Sequence, residues 1–323
     1  MTPALGLTVY HPDKAEHGYT LFAPMTGTSA YLIDMQGRIV QHWALPYRPG
    51  AYGYLLDNGH LLMAGRTGKS PVPFGGAGGT LIELDWDGKI LWEHIEDAMH
   101  HDFCRLPNGN TMVLGWEPVP ADMVPHIKGG QPGTGHEGNI WCDYFREITP
   151  DQRVVWEWHG YEHLDVETDC ICPLDRRHEW THANTCAVLP DGNVLLFDNG
   201  WHVTHPTPRS RVLEVQPTTN TMVWSYETKP GWKFFSSFIS GAQRLSNGNT
   251  LICEGMTGRL FEVTSVGEVV WEYVNPFFSD DERFGRNNTV FRAYRYAPDF
   301  PGLRGQTWHP EAYVWMNHLY AGR

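Results

Sequence analysis

The chain has 323 residues and a formal net charge of −13 at pH 7, from 24 Lys and Arg against 37 Asp and Glu. This acidity excludes nucleic acid or an anionic membrane as the expected partner, because both carry the same sign of charge. Hydrophobic residues make up 41% and aromatic residues 13% of the chain, which excludes disorder. With 34 Gly and 23 Pro, the composition indicates short strands joined by tight turns, an all-β fold.

The opening segment, MTPALGLTVYHPDKAEHGY, has no basic start followed by an apolar stretch, and no later run approaches the roughly 20 apolar residues of a membrane helix. We therefore expect a cytoplasmic protein. The six cysteines are too few for a disulfide scaffold in a chain of this length, so we expect reduced thiols. The sequence leaves the oligomeric state open.

A repeated hairpin runs along the chain. Its first, degenerate copy is HGYTLFAPM at 17–25. In the four full copies, Asn-Gly or Asp-Gly joins two apolar runs, which predicts type I′ turns with positive φ at both turn residues. These copies are LLDNGHLLMAG at 55–65, RLPNGNTMVLG at 105–115, VLPDGNVLLFD at 188–198 and RLSNGNTLICE at 244–254.

A second hairpin follows each copy, and each of these second hairpins ends near a tryptophan. The tryptophans are Trp43, Trp92, Trp156, Trp224 and Trp271. Two successive hairpins give four antiparallel strands, which is one blade of a β-propeller. We expect the tryptophan of the outermost strand to pack between neighbouring sheets.

The repeat count predicts a single five-bladed β-propeller domain over residues 1–323. The N-terminal blade lacks its innermost strand, and the segment VFRAYRYAPDFPGL at 290–303 can supply it by pairing with residues 18–24. Residues 304–323 are expected to form a tail with a short helix that packs outside the ring. The alternative is a sixth, degenerate blade hidden in the insertions at 119–138 or 159–180.

The innermost strands and the loops on one face of a propeller converge on a central funnel, so residues before each first strand and after each second strand are candidates for a site. His101 and His182 occupy nearly equivalent positions in successive repeats. His100 is less certain, because adjacent residues on a strand point to opposite faces. The other candidates are Tyr52, Arg66, Trp116, Glu117, His136, His178, Asn184, His202, Phe238 and Arg292.

The motif WTHANTCAVLPDGNVLL, with His182 and Asn184 ahead of the turn, resembles the His-x-Asn followed by LPDGN of arylsulfotransferase (ASST)-type propellers. The segments HHDFCRLPNGNTMVL and GYTLF resemble the blade pattern of the same family. The resemblance covers the chain from about residue 6 to residue 302.

The resemblance implies an enzyme in which a histidine attacks the sulfur of an aryl sulfate and passes the sulfuryl group to a second phenol. Residue by residue, it implies His182 as the nucleophile and His101 as acid/base or sulfuryl-oxygen donor, with Arg66 and Asn184 beside them. It implies a small aromatic substrate and no cofactor. The residues expected to bind that substrate are Tyr52, Trp116, Glu117, Phe238 and Arg292.

The composition of the candidate site supports an alternative, since it is rich in histidine and carboxylate and poor in Arg and Lys. Such a set suits a metal cation, and predicts a lyase or oxidoreductase with axial Zn, Cu or Fe. The ligands would be His101 and His182 with one or two of His100, His136, His178 and His202. A third possibility is a non-enzymatic binding platform, which should present an exposed aromatic patch.

Overall fold

Twenty-five strands make up most of the regular structure in a computed structural model that describes residues 4–184, 187–200, 207–282 and 285–320. The strands of the first half are β1 (Gly6–Tyr10), β2 (Tyr19–Pro24), β3 (Ser29–Ile33), β4 (Ile39–Ala44), β5 (Pro49–Leu55), β6 (Leu61–Arg66), β7 (Gly79–Leu84), β8 (Ile90–Ile95), β9 (Met99–Arg105), β10 (Thr111–Pro118), β11 (Gly129–Gln131), β12 (Trp141–Ile148) and β13 (Val154–His159).

The strands of the second half are β14 (Ile171–Arg176), β15 (Ala187–Val188), β16 (Val194–Asp198), β17 (Arg211–Gln216), β18 (Thr221–Tyr226), β19 (Ser240–Arg244), β20 (Thr250–Glu254), β21 (Arg259–Val263), β22 (Val269–Val274), β23 (Ser279–Asp281), β24 (Gly285–Asn287) and β25 (Val290–Tyr296). The α-helix is α1 (Val314–Tyr320). Short 3-10 helices cover Val124–His126, Gly160–Glu162, Gly231–Lys233, Gly255–Thr257, Pro301–Leu303 and Pro310–Tyr313.

The strands form five blade sheets with the orders β25-β2-β3-β4, β5-β6-β7-β8, β9-β10-β12-β13, β15-β16-β17-β18 and β19-β20-β21-β22-β1. The fold class is therefore the predicted five-bladed β-propeller. Within the described residues, the insertions at 119–138 and 159–180 contribute only the parallel pair β11-β14, so the alternative of a sixth blade is wrong. The sequence analysis missed β1, which pairs antiparallel with β22.

The closure of the first blade follows the prediction. Strand β25 pairs antiparallel with β2, with Tyr296 opposite Tyr19 and Ala293 opposite Phe22. A strand from the C-terminal part of the chain thus becomes the innermost strand of the N-terminal blade.

The four repeated hairpin turns are not of type I′, which corrects the prediction. The glycines at positions 59, 109, 192 and 248 have φ of 85 or 86°, whereas the Asn or Asp before each has no positive φ. In the first of these turns the N–H of Gly59 donates to the carbonyl of Leu56, and the N–H of Leu56 donates to that of His60. This pattern is a type I turn followed by a left-handed glycine, a three-residue hairpin loop.

The side chain before the glycine explains why Asn or Asp recurs there. Oδ1 of Asn108 accepts the N–H of Asn110 at 3.0 Å, and the same contact recurs in the other three turns. The amide of Asn110 then donates to Glu147 on the neighbouring strand, and the amides of the equivalent asparagines in the next two repeats donate to equivalent glutamates. The repeat therefore ties each turn to its own sheet.

Tryptophans of the outermost strands connect neighbouring blades in three cases, as expected. The indole N–H of Trp43 donates to the carbonyl of Asp85, that of Trp224 to Ser265, and that of Trp271 to Met35. Trp156 differs, because 46% of its surface is exposed. The expectation of inter-blade packing stays a prediction for Trp156.

The chain divides into two compact units. One comprises Met1–Gly65, Ile82–Glu93 and Cys186–Arg323, and the other comprises Arg66–Leu81 and His94–Thr185. The second unit has its own core of Val119, Ile127, Ile140, Cys142, Ile171 and Trp180. The single domain over residues 1–323 stays a prediction.

The predicted C-terminal helix is present as α1, and Asn317 attaches it to β4. The Asn317 side chain accepts the N–H of Ile39 at 2.7 Å and donates to the Ile39 carbonyl at 3.1 Å. The hydroxyl of Tyr313 donates to Gln41 on the same strand. In the part of the chain that the structure describes, no helix is long and apolar enough to cross a membrane.

Candidate functional site

A bulge in β9 brings two adjacent histidines together. Phe103 pairs with Val113 and Met99 with Gly115, so three residues of β9, from His100 to Asp102, lie opposite the single residue between Val113 and Gly115. His101 has a left-handed backbone with φ of 51°. The bulge removes the alternation of a regular strand, and Nδ1 of His100 lies 2.8 Å from Nδ1 of His101. The expectation that one of the two must point away is therefore wrong.

These two imidazoles are part of a longer series of contacts. Nε2 of His100 lies 3.0 Å from Oδ1 of Asp143, and Nε2 of His101 lies 3.1 Å from Nε2 of His182. Nδ1 of His182 lies 2.9 Å from Oε1 of Glu179. We call Asp143, His100, His101, His182 and Glu179 the histidine chain. It runs from one carboxylate through three imidazoles to a second carboxylate.

Strand β12 holds the segment that carries His182. The N–H of Ala183 donates to Oδ2 of Asp143 at 2.7 Å, and the N–H of Asp143 donates to the hydroxyl of Thr181 at 3.1 Å. Two residues before Asp143 on the same strand, the N–H of Trp141 donates to the carbonyl of His178 at 2.9 Å. Backbone hydrogen bonds on both sides thus fix Glu179 and His182 beside the strand that carries Asp143.

Aromatic side chains pack around the histidine chain. The indole of Trp116, which is 1% exposed, stacks on His100 with a centroid distance of 3.9 Å and an interplanar angle of 12°. Phe74 contacts Trp116 edge to face at 5.5 Å and lies 4.3 Å from His178 and 5.8 Å from His136. We call Phe74, Trp116, His136 and His178 the aromatic cluster. It provides an apolar wall beside the imidazoles.

Exposure increases along the histidine chain. The side chain of His100 is fully buried, His101 is 6% exposed, and the side chain of His182 is 42% exposed. His182 is therefore the imidazole that a molecule from solvent can contact.

The pKa shifts of the two end histidines follow their exposure: the pKa of the buried His100 is lowered, and that of the more exposed His182 is raised. Burial lowers the pKa of His100, although Asp143 opposes this. Burial also acts to lower the pKa of His182, but the hydrogen bond and charge of Glu179 outweigh it and raise that pKa above its usual value. Burial acts to raise the pKa of Asp143, and contacts with His100, Thr181 and Ala183 reverse this and lower it. Asp143 is thus ionised and His100 neutral near pH 7.

The three imidazoles do not converge on one point, because His101 directs Nδ1 to one neighbour and Nε2 to the other. Over the described ranges, no group of three or more His, Cys, Asp or Glu side chains is arranged to hold a metal ion. The metal-centred alternative stays a prediction.

Three other predicted residues of this unit, Glu117, Arg66 and Asn184, belong to neither the histidine chain nor the aromatic cluster. Glu117 pairs with His159, whose Nδ1 lies 2.9 Å from both carboxylate oxygens, and burial raises the pKa of Glu117. Arg66 is half-buried at the end of β6, and Asn184 is exposed two residues after His182. His202 lies outside the described residues.

Three predicted substrate-binding residues lie in the other compact unit. Cζ of Arg292 lies 4.2 Å above the ring of Tyr52, and the two side chains are 6% and 4% exposed. The pair is therefore packed together as a buried cation–π contact. Phe238 is 39% exposed.

Sequence reasoning missed three residues of the site, namely Phe74, Asp143 and Glu179. Asp143 had a usable signal, since it is an acidic residue in the otherwise largely apolar run WCDYF, which lies in β12. Glu179 lies three residues before His182. In a helix this spacing would bring the two side chains together, but outside a helix it predicts no contact. Phe74 belongs to a Gly- and Pro-rich loop whose position no local pattern predicts.

The family comparison agrees with the motifs. Residues 139–276 match the family described as arylsulfotransferase (ASST), and this segment includes Asp143, Glu179 and His182. Together with the five-bladed fold, the match confirms the resemblance to ASST-type propellers. No match was found among curated proteins.

Solved structures with similar folds are distant. A functionally unknown protein from Desulfotomaculum acetoxidans DSM 771 has a TM-score of 0.45 and 11% identity, with 87% of this chain and 100% of that chain covered. Apo AztD from Citrobacter koseri has a TM-score of 0.39 and 9% identity, with coverages of 87% and 98%. Virginiamycin B lyase from Staphylococcus aureus has a TM-score of 0.30 and 11% identity, with coverages of 85% and 75%. TM-scores of this size say nothing about function.

Proposed function

We propose that the protein transfers a sulfuryl group from an aryl sulfate to a second phenol, or to water, through a covalent intermediate on His182. The observation that carries this proposal is the position of His182, the exposed end of three linked imidazoles, inside the segment that matches the arylsulfotransferase family. A neutral imidazole nitrogen is nucleophilic near pH 7, which divides one difficult displacement into two easier ones.

The proposed first step forms a bond between Nε2 of His182 and sulfur while the bond between sulfur and the aryl oxygen breaks. The phenolate that leaves takes a proton from water. In the second step the acceptor phenol gives its proton to the hydroxide that remains from the first step, and its oxygen attacks the same sulfur, which breaks the N–S bond and restores the imidazole. The exchange conserves atoms and charge and needs no cofactor.

The location of His101 supports one of the two roles expected for it. The attacking nitrogen and the leaving oxygen lie on opposite sides of sulfur in an in-line displacement. Nε2 of His101 lies 3.1 Å from the nitrogen of His182 that would attack, whereas the leaving oxygen would lie beyond the sulfur. His101 can therefore donate to a non-leaving sulfuryl oxygen and is poorly placed to protonate the phenolate.

The aromatic cluster supports an aryl substrate. Phe74 lies 4.3 Å from His178 and contacts Trp116, so it offers a ring face in the unit that contains His182. We assign the aryl group of the donor to this wall. Arg66 and Asn184 remain proposed contributors near the sulfuryl group.

The test is turnover of 4-nitrophenyl sulfate with phenol as the acceptor, followed by nitrophenolate absorbance, together with mass spectrometry of the peptide that carries His182. We expect burst release of nitrophenolate and an SO3 adduct on His182 when the acceptor is omitted. His182→Ala should lose both, and the matched control His309→Ala, an exposed histidine paired with Glu311, should keep both.

Two outcomes would contradict the proposal. One is turnover by His182→Ala at the wild-type rate. The other is a stoichiometric transition metal in protein purified without added metal that disappears in His182→Ala, which would support the metal-centred alternative.

A further inference from the structure

The two insertions between strands of the propeller pack together as one small structure. We call residues 119–138 the first insertion and residues 159–180 the second insertion. Strand β11 of the first pairs in parallel with β14 of the second, and the N–H of Ile171 donates to the carbonyl of Lys128 at 2.9 Å. Ile127 of the first insertion and Ile171 of the second belong to the same hydrophobic core. The position of each insertion therefore depends on the other.

The guanidinium of Arg177, in the second insertion, contacts three backbone carbonyls of the first insertion. Nη1 donates to the carbonyl of Gly129 at 2.7 Å, and Nη2 donates to those of Ile127 at 2.5 Å and Val124 at 3.2 Å. Two of these carbonyls belong to the short 3-10 helix Val124–His126 and its C-cap, Ile127. Carbonyls at the end of a helix lack donors within the helix, and the guanidinium supplies them.

The backbone of Arg177 is also attached to the first insertion. Its N–H donates to the hydroxyl of Thr134 at 2.8 Å. Gly130 has φ of 71°, and a Cβ at Gly130 would lie 2.9 Å from Cβ of Arg177, so the two backbones are in close contact there. A lysine in place of Arg177 would keep the charge, but its compact ammonium does not match a planar fork that reaches three carbonyls.

The contact with Arg177 bears on the aromatic cluster through His136. This histidine lies two residues after Thr134 in the first insertion, and its ring lies 5.8 Å from that of Phe74, edge to face. His178 is held separately, because its carbonyl accepts a backbone N–H of β12. Arg177 therefore acts on the His136 side of the wall, and β12 holds the His178 side.

We propose that Arg177 is a positioning residue that holds the first insertion, and with it His136, against Phe74, and so determines which aryl groups the site accepts. This inference rests on the proposed function, which assigns the aryl group of the donor to this wall. The attacking nitrogen belongs to His182, whose segment is attached to β12 through the N–H of Ala183. Arg177 therefore acts on the binding of the aryl group and not on the displacement at sulfur.

Removal of the guanidinium has an effect that depends on the size of the donor. Arg177→Ala releases the first insertion and opens the His136 side of the wall. A phenyl donor then loses contacts that it makes equally in the ground state and in the transition state, so its KM rises while kcat changes little. A naphthyl donor gains room in the opened wall and loses less.

The first test is amide hydrogen exchange of the full-length protein, measured by mass spectrometry of its peptides. In Arg177→Ala we expect residues 124–136 to exchange about 10-fold faster than in the wild type, and residues 178–182 to exchange at the wild-type rate. Arg153→Ala is the matched control, since Arg153 is an exposed arginine of the same compact unit that pairs with Asp151, and it should match the wild type.

Wild-type exchange of residues 124–136 in Arg177→Ala overturns the inference, whether or not the protein turns over aryl sulfates. Circular dichroism shows whether each variant is folded. Arg177→Lys keeps the stem and the charge and replaces Arg177→Ala in both tests if the alanine variant does not fold. We expect the same pattern from it with smaller changes, because one ammonium retains part of the contact.

The second test compares 4-nitrophenyl sulfate with 1-naphthyl sulfate as donors at a saturating concentration of phenol. In Arg177→Ala the KM for 4-nitrophenyl sulfate should rise about 10-fold with kcat within about 2-fold of the wild type, and the ratio of kcat/KM for the naphthyl donor to that for the nitrophenyl donor should increase. Arg153→Ala should leave all of these values unchanged.

A general structural role for Arg177 would lower kcat for both donors by the same factor and leave their ratio unchanged, which would overturn the inference. If Arg177→Ala frees residues 124–136 but the wild type turns over neither donor, the contact between the insertions stands and the proposed function fails. The two failures are therefore distinguishable.

Discussion

The backbone of Gly76 lies against the imidazole of His101 so closely that a Cβ at Gly76 would be 2.0 Å from Cε1 and 2.4 Å from either ring nitrogen. Gly76 also has φ of 88°, and its carbonyl accepts the N–H of His101 at 3.1 Å. The loop that contains Gly76 therefore fixes the ring in the middle of the histidine chain, and only glycine satisfies both the conformation and the contact.

Gly76→Ala should displace His101 and lower kcat for aryl sulfate turnover by about 100-fold, because a shift of about 1 Å at the reacting groups is sufficient for such a loss. The neighbouring Gly75→Ala is the matched control, since nothing lies within 4 Å of its Cβ position. Steady-state kinetics and circular dichroism spectra of both variants measure this. Wild-type kinetics for Gly76→Ala would show that the ring position of His101 does not matter.

His101→Gln should reduce the turnover of activated and poorly activated aryl sulfates by the same factor, about 100-fold. In the proposed mechanism His101 donates to a non-leaving sulfuryl oxygen, whose charge develops with every leaving group. A series of substituted phenyl sulfates measures the slope of log kcat/KM against leaving-group pKa. A steeper slope in the variant would indicate a general acid instead, and recovery by excess divalent metal would support a metal ligand.

His100 should make the protein less stable as the pH falls from about 6.5 to 5. Burial lowers the pKa of His100 in the folded state, so between the folded and unfolded pKa values only the unfolded chain binds this proton. The lost stability is up to about 1.4 kcal/mol for each pH unit in this window. His42 and His178 act with the same sign.

Urea denaturation of wild type and His100→Gln across this pH range isolates the contribution of His100 to the pH dependence of stability, since the other histidines are common to both proteins. The free energy of unfolding of the wild type should fall relative to that of His100→Gln as the pH is lowered from 6.5 to 5. A difference that is constant with pH would mean that folding does not alter the protonation of His100. Asp143, whose folded pKa is lowered, loses its contribution only below about pH 4.

Arg295→Met should destabilise the protein by about 3 to 5 kcal/mol, because it leaves the carboxylate of Glu262 buried without its cation. The two side chains are 1% and 0% exposed and 3.2 Å apart, and Arg295 also donates to Thr20. The double variant Arg295→Met with Glu262→Gln should recover part of this loss.

The exposed pair Lys14 and Glu268 is the matched control for this experiment. Its side chains are 51% and 44% exposed, and Lys14→Met should cost no more than about 1 kcal/mol. Urea midpoints with unchanged slopes measure both effects. Equal losses from Lys14→Met and Arg295→Met would contradict the buried role of Arg295.

The blades could be predicted from the sequence because each carries its own local signals. Apolar alternation and an Asn-Gly or Asp-Gly pair specify a hairpin within about 12 residues, and the order of hairpins specifies the sheets. The turn type could not be predicted, because Asn-Gly suits both a type I′ turn and a type I turn with a left-handed glycine. The hydrogen bond that the backbone N–H of Asn110 donates to Oδ1 of Asn108 selects the second.

Sequence reasoning could identify only some of the residues of the candidate site. His101 and His182 could be recognised from their positions in the repeat, but the contact of His100 with His101 depends on a bulge that no alternation pattern signals. Asp143 and Glu179 join the histidine chain because two distant segments pair: Asp143 accepts the N–H of Ala183, which lies 40 positions later. Such contacts follow from tertiary structure.

The pairing of β2 with β25 also constrains how the protein can fold during its synthesis. Tyr19 leaves the ribosome long before its partner Tyr296, so the edge of β2 waits for a strand that is translated about 270 residues later. The contact of Trp271 with Met35 likewise joins a late hairpin to an early one. The first blade therefore has to be completed last, and the edge of β2 stays unpaired until translation reaches β25.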